Sequence, residues 1–230
     1  MDLVIFDLDG TLIDSKLDLA RSVNATRAHM GMGSLDISLI STYVGNGAPV
    51  LIRRALGTEA SEGEIQEGLE FFLEYYREHS LDQTRLYPGV REALNRLRAA
   101  GKHLAVLTNK PVAMSRTIVQ GLGIASYLFR VYGGNSFDFK KPHPVGVEAL
   151  MQEAGMERAS TLMVGDSSVD VQTARNAGVQ ACGVTYGFAP ETLHDPAPDL
   201  LVESMEELAD WLLAGGGKVK SQRSKIKSHK

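Results

Sequence analysis

Apolar and polar positions alternate in two distinct textures along this chain. Leu3 to Phe6 is a short apolar run, the pattern of a strand buried on both faces. Helical periodicity then takes over. Leu17, Ala20, Val23, Ala28 and Met30 form a loose apolar face that ends at Gly31 and Gly33. A short helix is predicted over 37–43, broken by Val44-Gly45-Asn46-Gly47, where Asn-Gly marks a turn. Pro49 suits the first turn of another helix, which runs to Leu56 and stops at Gly57. Ser61 and Glu64 have the spacing of a capping box. The helix they open carries Ile65, Leu69, Phe72, Leu73 and Tyr76 on one face. No strand pattern interrupts 15–80.

From Pro88 the texture changes. Strand-like runs at 104–107, 129–132, 161–164 and 181–184 alternate with amphipathic helices. Gly101, Gly123, Gly155 and Gly178 stop those helices, and a last one spans 205–213. Such alternation implies right-handed crossovers, so the expected class is α/β, a parallel sheet with helices on both faces. The expected organisation is an α/β core of 1–14 and 84–215. An all-helical insertion of 15–83 follows the first strand. The remaining 216–230 read as a basic, disordered tail.

Composition narrows the partners. With 43% apolar residues, the 230-residue chain can build a substantial core. No run of about 18 apolar residues occurs, and Met1-Asp2 lacks the basic start of a signal peptide. The expected location is cytoplasmic, and the single Cys182 agrees with a reducing compartment. The net charge of −4 hides an asymmetry: six of the 24 basic residues lie in Lys218–Lys230, leaving 18 against 28 acidic residues elsewhere. Such an acidic body argues against nucleic acid and fits a protein that gathers carboxylates around a metal. The expected assembly is a monomer or a homodimer.

The chemistry sits at strand ends. The first strand runs into Asp7-Leu8-Asp9-Gly10-Thr11, and Asp is a poor strand former. By itself this is also what a strand and an Asp-Gly turn look like. Thr108 follows Val106-Leu107, Lys141 precedes Pro142, and Asp166 follows Val164-Gly165 with Asp170 one helical turn later. In a parallel sheet these ends converge where ligands bind. Four carboxylates so gathered cannot all stay ionised unaided, and a divalent cation with oxygen ligands resolves the conflict. A metal, a free carboxylate, a lysine and a hydroxyl suit a phosphoryl group.

These motifs resemble, in order, the four motifs of the haloacid dehalogenase superfamily, over residues 3 to about 213. The resemblance implies a Rossmann-like core with a cap. It implies that Asp7 is a nucleophile that becomes phosphorylated. Asp9 would be the general acid and base, lending its backbone carbonyl to the metal. Thr108 and Asn109 would bind phosphoryl oxygens, and Lys141 would neutralise nucleophile and phosphate. Asp7, Asp9, Asp166 and Asp170 would form the Mg²⁺ site. A second acidic residue favours a phosphatase over a dehalogenase. No lysine occurs from Leu17 to Arg85, which argues against phosphonoacetaldehyde hydrolysis through a cap Schiff base.

Val44-Gly45-Asn46-Gly47, Arg54-Ala55-Leu56, Thr108-Asn109-Lys110-Pro111 and Lys141-Pro142-His143-Pro144 are similar to bacterial phosphoglycolate phosphatases. That implies a small phosphorylated metabolite, 2-phosphoglycolate first. Gly45, Asn46 and Gly47 would offer backbone N–H groups, and Arg53 and Arg54 read either as partners of the substrate carboxylate or as solvated helix residues. Another small phosphate, pyrophosphate or a sugar phosphomutase reaction stays open. So does a phospho-aspartate receiver module, although receivers have about half this length. Lys110 reads either as a phosphate contact or as a solvated loop lysine. Asp14 and Ser15 read as the hinge into the insertion, and Phe72 and Tyr76 as its packing.

Overall fold

The computed structural model describes residues 1–215; the expected basic tail lies outside them. In chain order the sheet strands are β1 (Leu3–Phe6), β4 (His103–Leu107), β5 (Arg130–Tyr132), β6 (Thr161–Gly165), β7 (Gln180–Val184) and β8 (Leu200–Val202). They pair in parallel in the order β5-β4-β1-β6-β7-β8. β1 is central, with Phe6 opposite both Val106 of β4 and Val164 of β6. That register brings the carboxyl ends of three strands side by side.

The side-chain alternation of β1 explains its continuous apolar run. Val4 and Phe6 face one layer, where α5 (Val90–Ala99), α6 (Val112–Gly121) and α9 (Met205–Leu213) contribute Leu94, Leu97, Ile118 and Leu208. Leu3 and Ile5 face the other, against Leu150 of α7 (Val145–Ala154) and Val171 and Ala174 of α8 (Ser168–Ala177). Both faces are thus covered, as a parallel sheet requires.

Four helices, α1 (Lys16–His29), α2 (Ile37–Ser41), α3 (Ala48–Leu56) and α4 (Glu62–His79), stand between β1 and the rest of the sheet. They share a separate core of Leu19, Val23, Ile40, Leu51, Ile52, Phe72 and Tyr76. The capping box forms at Ser61 and Glu64. One detail of the expected pattern is corrected. The inner face of α1 is Leu19, Ala20, Val23 and the small polar Ser22 and Thr26, whereas Ala28 is exposed. Ser22 and Thr26 remain compatible with burial because each hydroxyl donates to the carbonyl four residues earlier.

Two further elements differ from the expectation. β8 is a three-residue edge strand. A two-residue ribbon, β2 (Ile13–Asp14) with β3 (Arg85–Leu86), pairs antiparallel where the chain leaves and re-enters the sheet unit. Beside it the buried carboxylate of Asp18 accepts from the Gln83 and Thr84 amides and the Thr84 hydroxyl. Both connections to the helical unit are therefore tied to one carboxylate. No described helix is long and apolar enough to cross a membrane.

Candidate active site

The β1–β4–β6 register delivers Asp7, Thr108 and Asp166 to one rim. All three are buried, as are Lys141 and Asp170. Asp7, Asp166 and Asp170 each present one carboxylate oxygen, and these oxygens all lie within 4.8 Å of one another. Lys141 Nζ bridges two of the acids, 2.8 Å from Asp7 Oδ1 and 2.7 Å from Asp170 Oδ1. Asp170 is fixed a second time, because its Oδ2 accepts from the Ser167 hydroxyl at 2.7 Å in the capping box that opens α8. Asp166 Oδ2 accepts from the backbone N–H of Phe188 at 2.5 Å and of Ala189 at 3.3 Å.

Three buried carboxylates against one ammonium leave uncompensated negative charge. The carboxylate affinities show its consequence. Burial pushes Asp7 up to about 6, with Lys141 opposing and Asp170 adding to the rise. Burial, then Asp170 and Asp7, push Asp166 up to about 8. Lys141 is raised too, since the attraction of Asp170 and Asp7 outweighs the burial that opposes its charge. Asp7 Oδ1 makes no well-aligned hydrogen bond despite its nearness to Lys141. An all-oxygen, net-negative triad with an under-satisfied carboxylate fits a hard divalent cation.

Asp9 stands apart from that triad. Its Oδ1 accepts from the Ser15 hydroxyl at 2.5 Å, and both its oxygens accept from Lys110 Nζ, at 2.9 and 3.0 Å. Lys110 is buried and also donates to Tyr76 Oη of α4 at 2.8 Å. Burial opposes its charge, but Asp9 and Tyr76 outweigh it and raise its affinity for the proton. Burial pushes the Tyr76 phenol up to about 12, so it keeps its proton. Lys110 is thus no solvated loop lysine, Ser15 is more than a hinge, and Tyr76 is more than packing.

These groups surround a cavity with room of about 60 Å³, lined by Asp7, Asp9, Thr108, Lys110 and Asp166 below. The helical unit covers it with Gly45, Gly47, Leu51, Phe72 and Tyr76. Asn109 joins the two sides, its amide donating to the Gly45 carbonyl at 2.9 Å and the Lys141 carbonyl at 3.1 Å. Asn46 does not line the cavity, and its carbonyl accepts from the exposed Lys140.

The arginines are not brought in. Arg54 is exposed, with its guanidinium 3.4 Å from the Tyr43 carbonyl. Arg53 is paired with Glu62 at 2.6 Å. The inner face of α3 is Leu51, Ile52 and Ala55, and that rotation turns both arginines to solvent.

Two glycines make the close packing possible. Gly10, at φ +80°, lies where any Cβ would overlap the Asp166 carboxylate. Gly134, after β5, lies where a Cβ would overlap the Asn109 carbonyl. Gly134→Ala is expected to push the 108–110 loop off its register. The predicted cost is about 1–3 kcal/mol of stability, with a larger fractional loss of activity. A thermal melt and an assay on the same preparation check it.

Residues 4–184 match the family model for haloacid dehalogenase-like hydrolases. The chain belongs to that family. A phosphoglycolate phosphatase of Vibrio parahaemolyticus is 39% identical over 215 residues, covering 90% of this chain and 94% of the relative. One of Chromobacterium violaceum is 39% identical over 216 residues, covering 92% and 96%. The crystal structure of a predicted phosphoglycolate phosphatase from Haemophilus somnus superposes with TM-score 0.87 at 34% identity, covering 92% of this chain and 98% of that one.

Proposed function

We propose that this haloacid dehalogenase-like hydrolase is a Mg²⁺-dependent phosphatase that cleaves 2-phosphoglycolate to glycolate and phosphate. The observation that carries the reading is the convergence of Asp7, Thr108, Lys141 and Asp166 beside a small covered cavity. The cavity has room of about 60 Å³ and adjoins a larger groove across Gly47, Asn109 and Met114. The name carried by the relatives supports the same substrate.

Asp7, Asp166 and Asp170, with the Asp9 backbone carbonyl, would hold the cation, which when bound supplies positive charge beside the phosphoryl oxygens. Thr108 and Lys141 bind those oxygens. An Asp7 carboxylate oxygen attacks phosphorus and the bond to the leaving oxygen breaks, giving an aspartyl-phosphate. Asp9 donates its proton to the leaving oxygen, then takes one from the water that attacks the same phosphorus. Phosphate departs and Asp7 is regenerated. The helical unit, residues 15–83, acts as a cap over the 1–14 and 84–215 core and excludes bulk water.

A phosphate-release screen over small phosphorylated metabolites, with and without Mg²⁺, tests the reading. Expected is a marked preference for 2-phosphoglycolate that disappears with chelator. A flat profile, or isomer conversion faster than phosphate release, would defeat the substrate assignment.

A further inference from the structure

Among the described residues Lys110 is the cation that lines the cavity, its Nζ lying between the lining residues Asp9 and Tyr76. Lys141 is locked between Asp7 and Asp170, Lys140 is turned outward to Asn46, and Arg53 and Arg54 are exposed. The cover over the cavity is apolar at Leu19, Leu51 and Phe72. We propose that Lys110 and Tyr76 together form the subsite for the carboxylate of the substrate's leaving group. This inference rests on the phosphoglycolate reading above and gives it a specificity determinant.

The spacing carries the argument. In phosphoglycolate one CH₂ separates the leaving oxygen from the carboxyl carbon, so these two atoms are about 2.4 Å apart by ordinary bond lengths and angles. Asp9 must touch the leaving oxygen to give it a proton. Lys110 Nζ is 2.9 Å from Asp9 Oδ1, so it stands beside the group that touches the leaving oxygen, and a carboxylate one carbon further on can reach it. Among the described residues, no other cation lines the cavity.

Tyr76 supplies the second donor. Its hydroxyl oxygen accepts from Lys110, and among the described residues its own proton has no hydrogen-bond acceptor. The ammonium, which Tyr76 shares with Asp9, and the phenol are 2.8 Å apart and offer donors to a carboxylate's two oxygens. One donor comes from the core loop and the other from α4 of the cap. A bound carboxylate therefore ties cap to core, whereas a neutral leaving group makes no such tie.

The test compares 2-phosphoglycolate with ethyl phosphate, which has the same chain length and lacks the carboxylate, in wild type, Lys110→Met and Tyr76→Phe. Wild type is expected to favour phosphoglycolate in kcat/KM. Lys110→Met is expected to reduce that preference tenfold or more, beyond any loss common to both substrates through Asp9. Tyr76→Phe is expected to reduce it several-fold, mainly through KM for phosphoglycolate. If both variants lose activity on the two substrates in equal proportion, Lys110 serves Asp9 alone and the subsite assignment is overturned. If Lys110→Met does not fold, Tyr76→Phe keeps the buried ring and carries the same ratio test. A wild type without any preference would instead overturn the phosphoglycolate reading, and the subsite with it.

Discussion

Replacing Asp7 by Asn is expected to lower kcat by roughly 10⁴-fold or more, the scale of losing a nucleophile. The amide is nearly isosteric with the carboxylate. Asp7 is buried between β1 and the Lys141 loop, so the variant has no cavity to collapse. What it loses is the oxygen lone pair and charge that attack phosphorus. Lys141 keeps its contact with Asp170 at 2.7 Å, so the loop that carries it has a second anchor. The measurement is phosphate release from p-nitrophenyl phosphate by purified protein, alongside a circular dichroism melt. A folded variant with more than about a hundredth of wild-type activity would remove Asp7 from the proposed role. Rapid quench of wild type with radiolabelled substrate should in addition find label bound to the protein, and the variant should carry none.

The sheet was legible because each of its strands except β8 is an apolar run closed by Gly or a polar end, and each stopping glycine follows a helix. β8 was not, because three residues after Asp195-Pro196-Ala197-Pro198 hold no period. The β2–β3 ribbon was hidden for a different reason. Its partners are about seventy residues apart and only two residues long, so pairing rather than pattern defines it. The approach of strand ends followed from parallel topology, a global rule. Side-chain direction did not. Whether Arg54 faces the cavity depends on the rotation of α3 about its axis, set by which apolar residues the neighbouring helices accept. Lys110 was ambiguous because its partners, Asp9 and Tyr76, lie 101 and 34 residues away. The Ser167–Asp170 capping box could have been read from its spacing, as Ser61–Glu64 was. It explains how one carboxylate is aimed at Lys141 while its other oxygen is spent on its own helix.

The second large effect is expected from the cation. Chelation should abolish measurable turnover, and Mg²⁺ should restore it. The same site should be visible without any assay. A cation that binds only the folded state stabilises it by about 2.7 kcal/mol at a hundred times its Kd, which for a chain of this size is a rise of several degrees in Tm. Asp166 is the sensitive position. Its Oδ2 is already held by the Phe188 and Ala189 amides, and its carboxylate packs against Gly10 where a Cβ would overlap it. Burial, Asp170 and Asp7 make the charged form of Asp166 costly without a cation, and Asp166→Asn removes that ionisable group. The metal-free variant is therefore expected to be at least as stable as metal-free wild type, while its Tm hardly responds to Mg²⁺ and its activity needs at least a hundredfold more of it. An active site that is repulsive when empty trades stability for function. If Asp166→Asn instead unfolds the metal-free protein and keeps the full Mg²⁺ shift, the carboxylate is a structural acceptor for the 188–189 loop and not a ligand. The opposite movement of the two quantities, resting stability up and metal response gone, separates a charge held in place for a cation from one that merely completes a turn.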